Sequence, residues 1–270
     1  MQTNNIFSAV RFGLYMRKHL LDNYRMYGMS VIVLAVLSLV ILLISSTDNF
    51  SVTTSGILPV FFIGMYITGL IFTSLSFREL GSKQQGIDYL LFPASHLEKF
   101  VTTLLITTIG FLVIYHLAFY CSYQILDFIY YTKRNAHIHN DLAHYMRETP
   151  WEYIYFGWFA AQGFMLLGAI YFQRYSFIKV IFLLPIFLFL LYLFNSVFAI
   201  IFFGGKLHAW YTHAPFVGVQ VMTGNGDENT IFDFLIIPEK LQHIFLFMFK
   251  YLLPPILWTL AFARLRDKEI

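Results

Sequence analysis

The chain has 270 residues, of which 58% are hydrophobic, 20% aromatic and only 12% charged, with a formal net charge of +3. Soluble domains average about 25% charged residues, so this composition argues against a water-facing globule and for an all-α, multi-pass membrane protein. A single cysteine, Cys121, excludes a disulfide within the chain.

The first apolar run begins near Gly28 and is too long for the apolar stretch of a signal peptide. No small-residue cleavage site follows it, so a cleaved signal is not expected. Before it, residues 1–27 are expected to hold an interfacial helix over about 6–25. At 100° per residue Arg11, Lys18, Asp22 and Arg25 fall on one narrow face. Ile6, Val10, Gly13, Met16 and Leu20 fall mostly opposite, with Arg17 intruding. Such a helix lies in the membrane interface with its basic stems snorkelling; an ordinary juxtamembrane leader is the alternative.

Six apolar runs follow, expected to span at about 29–46, 57–75, 96–126, 150–172, 177–203 and 241–264. Each is 18 residues or longer, close to the roughly 20 residues that a 30 Å hydrocarbon core needs. Pro59 stands in the first turn of span 2, where its missing N–H costs little. Span 3 opens with a capping box, Ser95 at the N-cap and Glu98 three residues on. Span 4 opens similarly, with Thr149, Pro150 and Glu152. Pro185 is expected to kink span 5, and Pro254-Pro255 to disturb a final helix that starts near Pro238.

Lys and Arg are unevenly shared between the connections. The N-terminal segment, the 76–99 loop, the 173–179 turn and the C-terminal tail together hold twelve, and the opposite connections hold five. Both termini are therefore expected in the cytoplasm. The long outer connections, 127–149 and 204–237, read as aromatic and loop-like, the second with a turn-rich Thr223-Gly224-Asn225-Gly226-Asp227. The whole chain reads as a single transmembrane domain over 1–270.

No phosphate-binding loop and no zinc-protease H-E-x-x-H is present, so any use of ATP requires another chain. Within the spans the polar candidates are His116, Gln162, Asn195 and Lys250. None pairs with a nucleophile. Interhelical hydrogen bonding is the simpler reading for His116 and Asn195, and snorkelling or a structural pair for Lys250. In an outer connection His137, Asp141 and His144 would share a face if helical, with ligand-like spacing; a solvated His-rich loop is the alternative. No catalytic residue, metal site, cofactor or nucleic-acid site is assigned.

The stretch 77–100 stands apart. Arg78, Glu79 and Lys83 form a charged rim, and Tyr89-Leu90-Leu91-Phe92 an apolar anchor, in a segment expected to face water. That is the anatomy of a protein contact; an interfacial helix lying on lipid is the alternative. Pro93 ends that helix, and the Ser95–Glu98 cap joins it stiffly to span 3. The run from Phe77, ending YLLFPAS and then EKF, resembles the first cytoplasmic loop of a bacterial group of membrane proteins related to ABC-2 type transporter permeases. Phe92 stands where that group often has an aliphatic residue. The resemblance implies an elbow helix at 6–25, a coupling helix at about 77–92 and a pair of short re-entrant helices within 204–237. It also implies a separate ATP-binding subunit, a homodimer or heterodimer of permeases, and a bacterial inner-membrane location. It names no substrate. A permease subunit of an ATP-driven exporter is thus expected, itself not an enzyme. A non-transporting membrane sensor or anchor that docks a cytoplasmic regulator is the alternative.

Overall fold

The structure, a computed structural model, describes residues 7–45, 54–78, 86, 92–135, 137–138, 151–172, 175–203, 213–214, 218–223, 231–236 and 239–268. The chain divides into two compact units, Met1–Phe177 with Ile256–Ile270, and Ile178–Pro255.

The first unit opens with α1 (Ala9–Asp22) and α2 (Tyr24–Ser45). The expected helix over 6–25 is therefore cut at Asn23. The Asn23 backbone N–H and its side-chain Nδ2 both donate to the His19 carbonyl, at 3.2 and 3.1 Å. A side chain that competes for a helical carbonyl favours a break. Next comes α3 (Thr54–Ser74), with Pro59 near its start. The third span is one helical run with a wide turn inside it: α4 (His96–Leu105), a π turn (Ile106–Gly110) and α5 (Phe111–Arg134). It extends well beyond the expected end at 126. Asn135 stops it in the left-handed conformation, φ 56°, with its N–H on the Tyr131 carbonyl. Then follows α6 (Trp151–Tyr171), with Glu152 in its first turn; Thr149 and Pro150 lie outside the described residues.

Within this unit α2 packs on α5, α3 on α6, and α1 on α4. Small residues let the helices approach closely, as they do where no hydrophobic force separates lipid from protein. At Gly64 a Cβ would meet the Tyr115 hydroxyl at 2.6 Å, and at Gly69 it would meet Phe111 and Trp158 Nε1 at 2.8 Å. Ser38 and Ser122 share a hydrogen bond of 2.7 Å between α2 and α5. One core gathers Phe61, Met65, Phe111, Tyr115 and Trp158. A second gathers Phe77, Phe100, Leu166, Ile170, Ala261 and Leu265. Large apolar side chains of the same helices point outward, including Ile32, Val33, Ile67, Val113 and Leu117. Apolar exposure on that scale belongs in contact with lipid.

The second unit contains most of α7 (Ser176–Phe203), with Pro185 inside it, and α8 (Glu239–Phe247). Between them lies a three-stranded antiparallel sheet, β1 (His213–Ala214), β2 (Gly218–Thr223) and β3 (Ile231–Ile236). Gly218 pairs with Ile236 and Thr223 with Ile231. These strands stand where the resemblance implied short re-entrant helices within 204–237. Val219 and Val221 alternate with Gln220 and Met222, and Phe232 and Phe234 flank Asp233. A period of two, rich in β-branched and aromatic residues, suits a strand.

A second π turn (Met248–Leu252) leads from α8 into α9 (Leu253–Lys268). It immediately precedes Pro254-Pro255, where two successive N–H groups are missing from the helical ladder. Among the described residues, five helical stretches are long and apolar enough to cross a membrane: Tyr24–Ile44, Gly56–Ser74, His96–Lys133, Trp151–Tyr171 and Ser176–Phe194. The sixth expected span, 241–264, falls on α8, the π turn and α9 and is not among those five.

Candidate functional site

The Ser95–Glu98 cap is formed as its spacing predicts. Ser95 is extended at φ −68°, ψ 156°, and its Oγ accepts the Glu98 N–H at 3.2 Å. Glu98 Oε2 accepts the Ser95 N–H at 2.9 Å. Glu98 does more than cap its own helix. Its other oxygen, Oε1, accepts the backbone N–H of Ser8 at 2.6 Å, and Arg11 donates to it through Nε at 3.3 Å and Nη2 at 3.1 Å.

Ser8 is the N-cap of α1, and its own hydroxyl makes no capping bond. In a capping box the third helical residue is Glu or Gln and reaches back to the N-cap N–H. In α1 that position is Arg11. A cation there opposes the helix dipole. Glu98, from a different helix, supplies the missing carboxylate to both groups. The Glu98 side chain is fully buried and Arg11 is 36% exposed. A buried carboxylate is tolerable only when paired and hydrogen-bonded, and Glu98 has four donor contacts on two oxygens.

Further along the same face of α1, the Tyr15 ring packs on Phe92 with centroids 5.2 Å apart, and Lys18 Nζ lies 4.1 Å from the Phe92 ring centroid. Residues 8, 11, 15 and 18 recur at helical spacing, so one stripe of α1 holds the whole 92–98 segment. The charged face, with Arg11 and Lys18 expected to snorkel, is thus partly engaged inside the protein. Val10, 72% exposed, and Leu14 and Leu21 point outward, as an interfacial helix requires.

Among the expected docking residues, Arg78 is exposed just past the end of α3, and Phe92 is half-buried with its ring engaged by Tyr15 and Lys18. Glu79, Lys83, Tyr89, Leu90 and Leu91 lie outside the described residues.

Two of the polar residues inside the spans, His116 and Gln162, link helices. His116 Nδ1 lies 2.7 Å from the Leu112 carbonyl and Nε2 2.7 Å from the Tyr155 hydroxyl. The carbonyl can only accept, so Nδ1 carries the proton and Nε2 accepts from Tyr155. Gln162 is completely buried, donating to Thr107 Oγ1 at 3.1 Å and accepting from Trp258 Nε1 at 2.9 Å. It ties α6 to the first π turn and to α9. Lys250 sits half-buried in the second π turn. The Asn195 side chain lies outside the described residues.

The outer histidines divide. His137 is not helical, because α5 ends at Arg134, and its Nδ1 lies 2.8 Å from Asp127 Oδ2. Asp127 Oδ1 accepts the Ile138 N–H at 2.8 Å, and Ile138 is buried in the first core. This pairing folds the chain back over the end of α5. Asp141 and His144 lie outside the described residues. Among the described residues no group of three or more His, Cys, Asp or Glu is arranged to hold a metal ion.

Sequence reasoning named Glu98 as a cap and Gln162 as an intramembrane polar candidate, but missed the Glu98 link to Ser8 and Arg11, the partners of Gln162 and the Asp127 clasp. The third had a signal of its own, an acidic residue at the start of the predicted loop 127–149. Comparison with protein-family models, with curated proteins and with solved structures finds no match.

Proposed function

We propose that this chain is the membrane-spanning permease subunit of an ATP-driven, ABC-2 type exporter, with six spans and both termini in the cytoplasm of a bacterial inner membrane. ATP is hydrolysed by a separate subunit, and two permeases, identical or related, form the transport path. The observation that supports this reading best is the Glu98 junction. The loop 76–95 is pinned at its far end to α1 and to the start of a 38-residue helical run. A push on that loop is therefore passed to an interfacial helix and a spanning helix together. Closure of the ATPase subunits would drive the paired 77–92 segments toward each other and tilt the third span.

The test is affinity purification of the tagged chain in lipid with its ATPase, followed by measurement of ATP turnover. Leu90→Asp and Leu91→Asp are expected to remove the ATPase while the permease stays folded. An ATPase complex that survives both changes overturns the docking reading. Retention of a cytoplasmic partner that shows no ATP turnover favours a sensor or anchor instead.

A further inference from the structure

Two adjoining cavities lie where α1, α2 and the third span meet. The larger, about 400 Å³, has an almost wholly apolar wall that includes Met16 and Leu20 of α1, Val31 of α2, and Ile109 and Ile114 of the third span. The smaller, about 260 Å³, has a mixed wall, with Met26 and Leu75 beside polar groups that include His19, Asn23, Ser76, Arg78 and Thr103. Tyr27, Ser30, Phe72 and Ile106 line both cavities, so they are two ends of one space. Each falls near or within the roughly 300–1,000 Å³ range of small-molecule sites.

The polarity runs one way along this space, and that identifies the class of occupant. We propose that it holds an anionic phospholipid drawn from the surrounding bilayer. One acyl chain lies in the apolar cavity and the phosphate lies at Arg78 and Asn23. Three features argue for it. The apolar half is walled by an interfacial helix and two candidate spans, which places its mouth against lipid tails. Arg78 brings a permanent positive charge to the polar half, and a guanidinium matches a phosphate in two-pronged geometry. Asn23 uses its side-chain Nδ2 on the His19 carbonyl, and an amide nitrogen carries a second N–H for the same phosphate. A free anion would leave the 400 Å³ apolar cavity empty. Phosphatidylcholine carries its own cation beside its phosphate, so an anionic lipid brings the net negative charge that complements Arg78. The site does not depend on the exporter reading.

The test uses the full chain in phosphatidylcholine vesicles doped with phosphatidylglycerol or phosphatidylcholine, each carrying a photoactivatable group on its acyl chain. After illumination the labelled peptides are mapped. Phosphatidylglycerol is expected to label 105–114 several-fold more than phosphatidylcholine does, while both label the outward-facing Ile63 and Ile67 alike. Arg78→Gln is expected to bring the two lipids to parity at 105–114. Ile109→Trp, which fills the apolar half, is expected to lower labelling there for both. Equal labelling of 105–114 by the two lipids in the unaltered protein overturns the proposal, as does a phosphatidylglycerol preference that survives Arg78→Gln. The comparison of the unaltered protein with Arg78→Gln decides the matter even if Ile109→Trp does not fold.

Discussion

Glu98 caps a helix to which it does not belong: its Oε1 takes the backbone N–H of Ser8 at 2.6 Å, across 90 positions of sequence. The same oxygen receives Arg11, so the start of α1 is satisfied in charge and in hydrogen bonding by the start of α4. Neither helix can shift along its axis without breaking these bonds.

Removing one partner of a buried ion pair typically costs about 3–5 kcal/mol. Arg11 is part-exposed, so Glu98→Ala is expected at or below the lower end of that range, its main effect being to leave the N-cap N–H groups of Ser8 and Ser95 without their acceptor. Glu98→Gln keeps an acceptor and is expected to cost less. In a double-mutant cycle with Arg11→Met, the two changes should be non-additive by about 0.5–3 kcal/mol. Thermal unfolding in lipid nanodiscs reads all of these, and strict additivity would mean that the pair is not coupled.

The Phe92 contact makes a separate prediction. Phe92→Ala removes the ring that Tyr15 and Lys18 cover, so α1 should open more often while α5 and α6 stay closed. Hydrogen exchange is expected to rise across 9–22 and to be unchanged across 151–171. Lys18→Met keeps most of the packing and loses the cation–ring attraction, about 0.5–1 kcal/mol at an exposed site, together with an exposed ion pair to Asp22. Its exchange should therefore lie between that of the unaltered chain and Phe92→Ala.

Glycines in this chain are not equivalent. Gly69→Ala would place a Cβ 2.8 Å from Phe111 and from the buried Trp158. The expected cost is about 1–3 kcal/mol for forced repacking. Gly13→Ala has nothing within 4 Å of the new atom. In the exposed interior of α1 it should stabilise by roughly 0.5–1 kcal/mol. Melting temperatures of the two variants should therefore move in opposite directions.

Gln162→Leu leaves the Trp258 N–H without its acceptor and Thr107 without its donor. In membrane proteins such interhelical bonds average about 0.6 kcal/mol and reach about 1.7. Because Gln162 serves two partners in a fully buried position, the upper part of that range is expected. Denaturant unfolding in mixed micelles checks it, and a stabilised Gln162→Leu would show that the hub is dispensable.

What the sequence made legible follows the range of each interaction. The Ser95–Glu98 cap spans three residues and is formed as read. Five of the six apolar runs coincide with candidate spans, because each helix carries its own hydropathy, although the third runs eight residues past its expected end at 126. Asn23 was missed because a periodic pattern on both sides masks a single competing side chain. The alternation in 218–223 and 231–236 is present in the sequence, but the resemblance implies re-entrant helices for the segment that contains it. The bond from Glu98 to Ser8 had no local trace. It depends on where the fold brings two distant helix starts, and Arg11 at the third position of α1 reads by itself as an ordinary basic residue.

The π turn at Ile106–Gly110 sets the phase of the third span. It fits one residue more than an α-helix needs over that stretch, and one residue is worth about 100° of rotation about the axis. Glu98, Thr102 and Thr103 on one side, and Phe111, Tyr115 and Phe119 on the other, are buried on faces matched across that offset. Deleting a single residue within 106–110 would restore a regular helix and turn one half by that angle relative to the other. With Tyr115 kept in the core, Glu98 would swing away from α1, so the extra residue works as the gear tooth that keeps both ends of this helix in mesh.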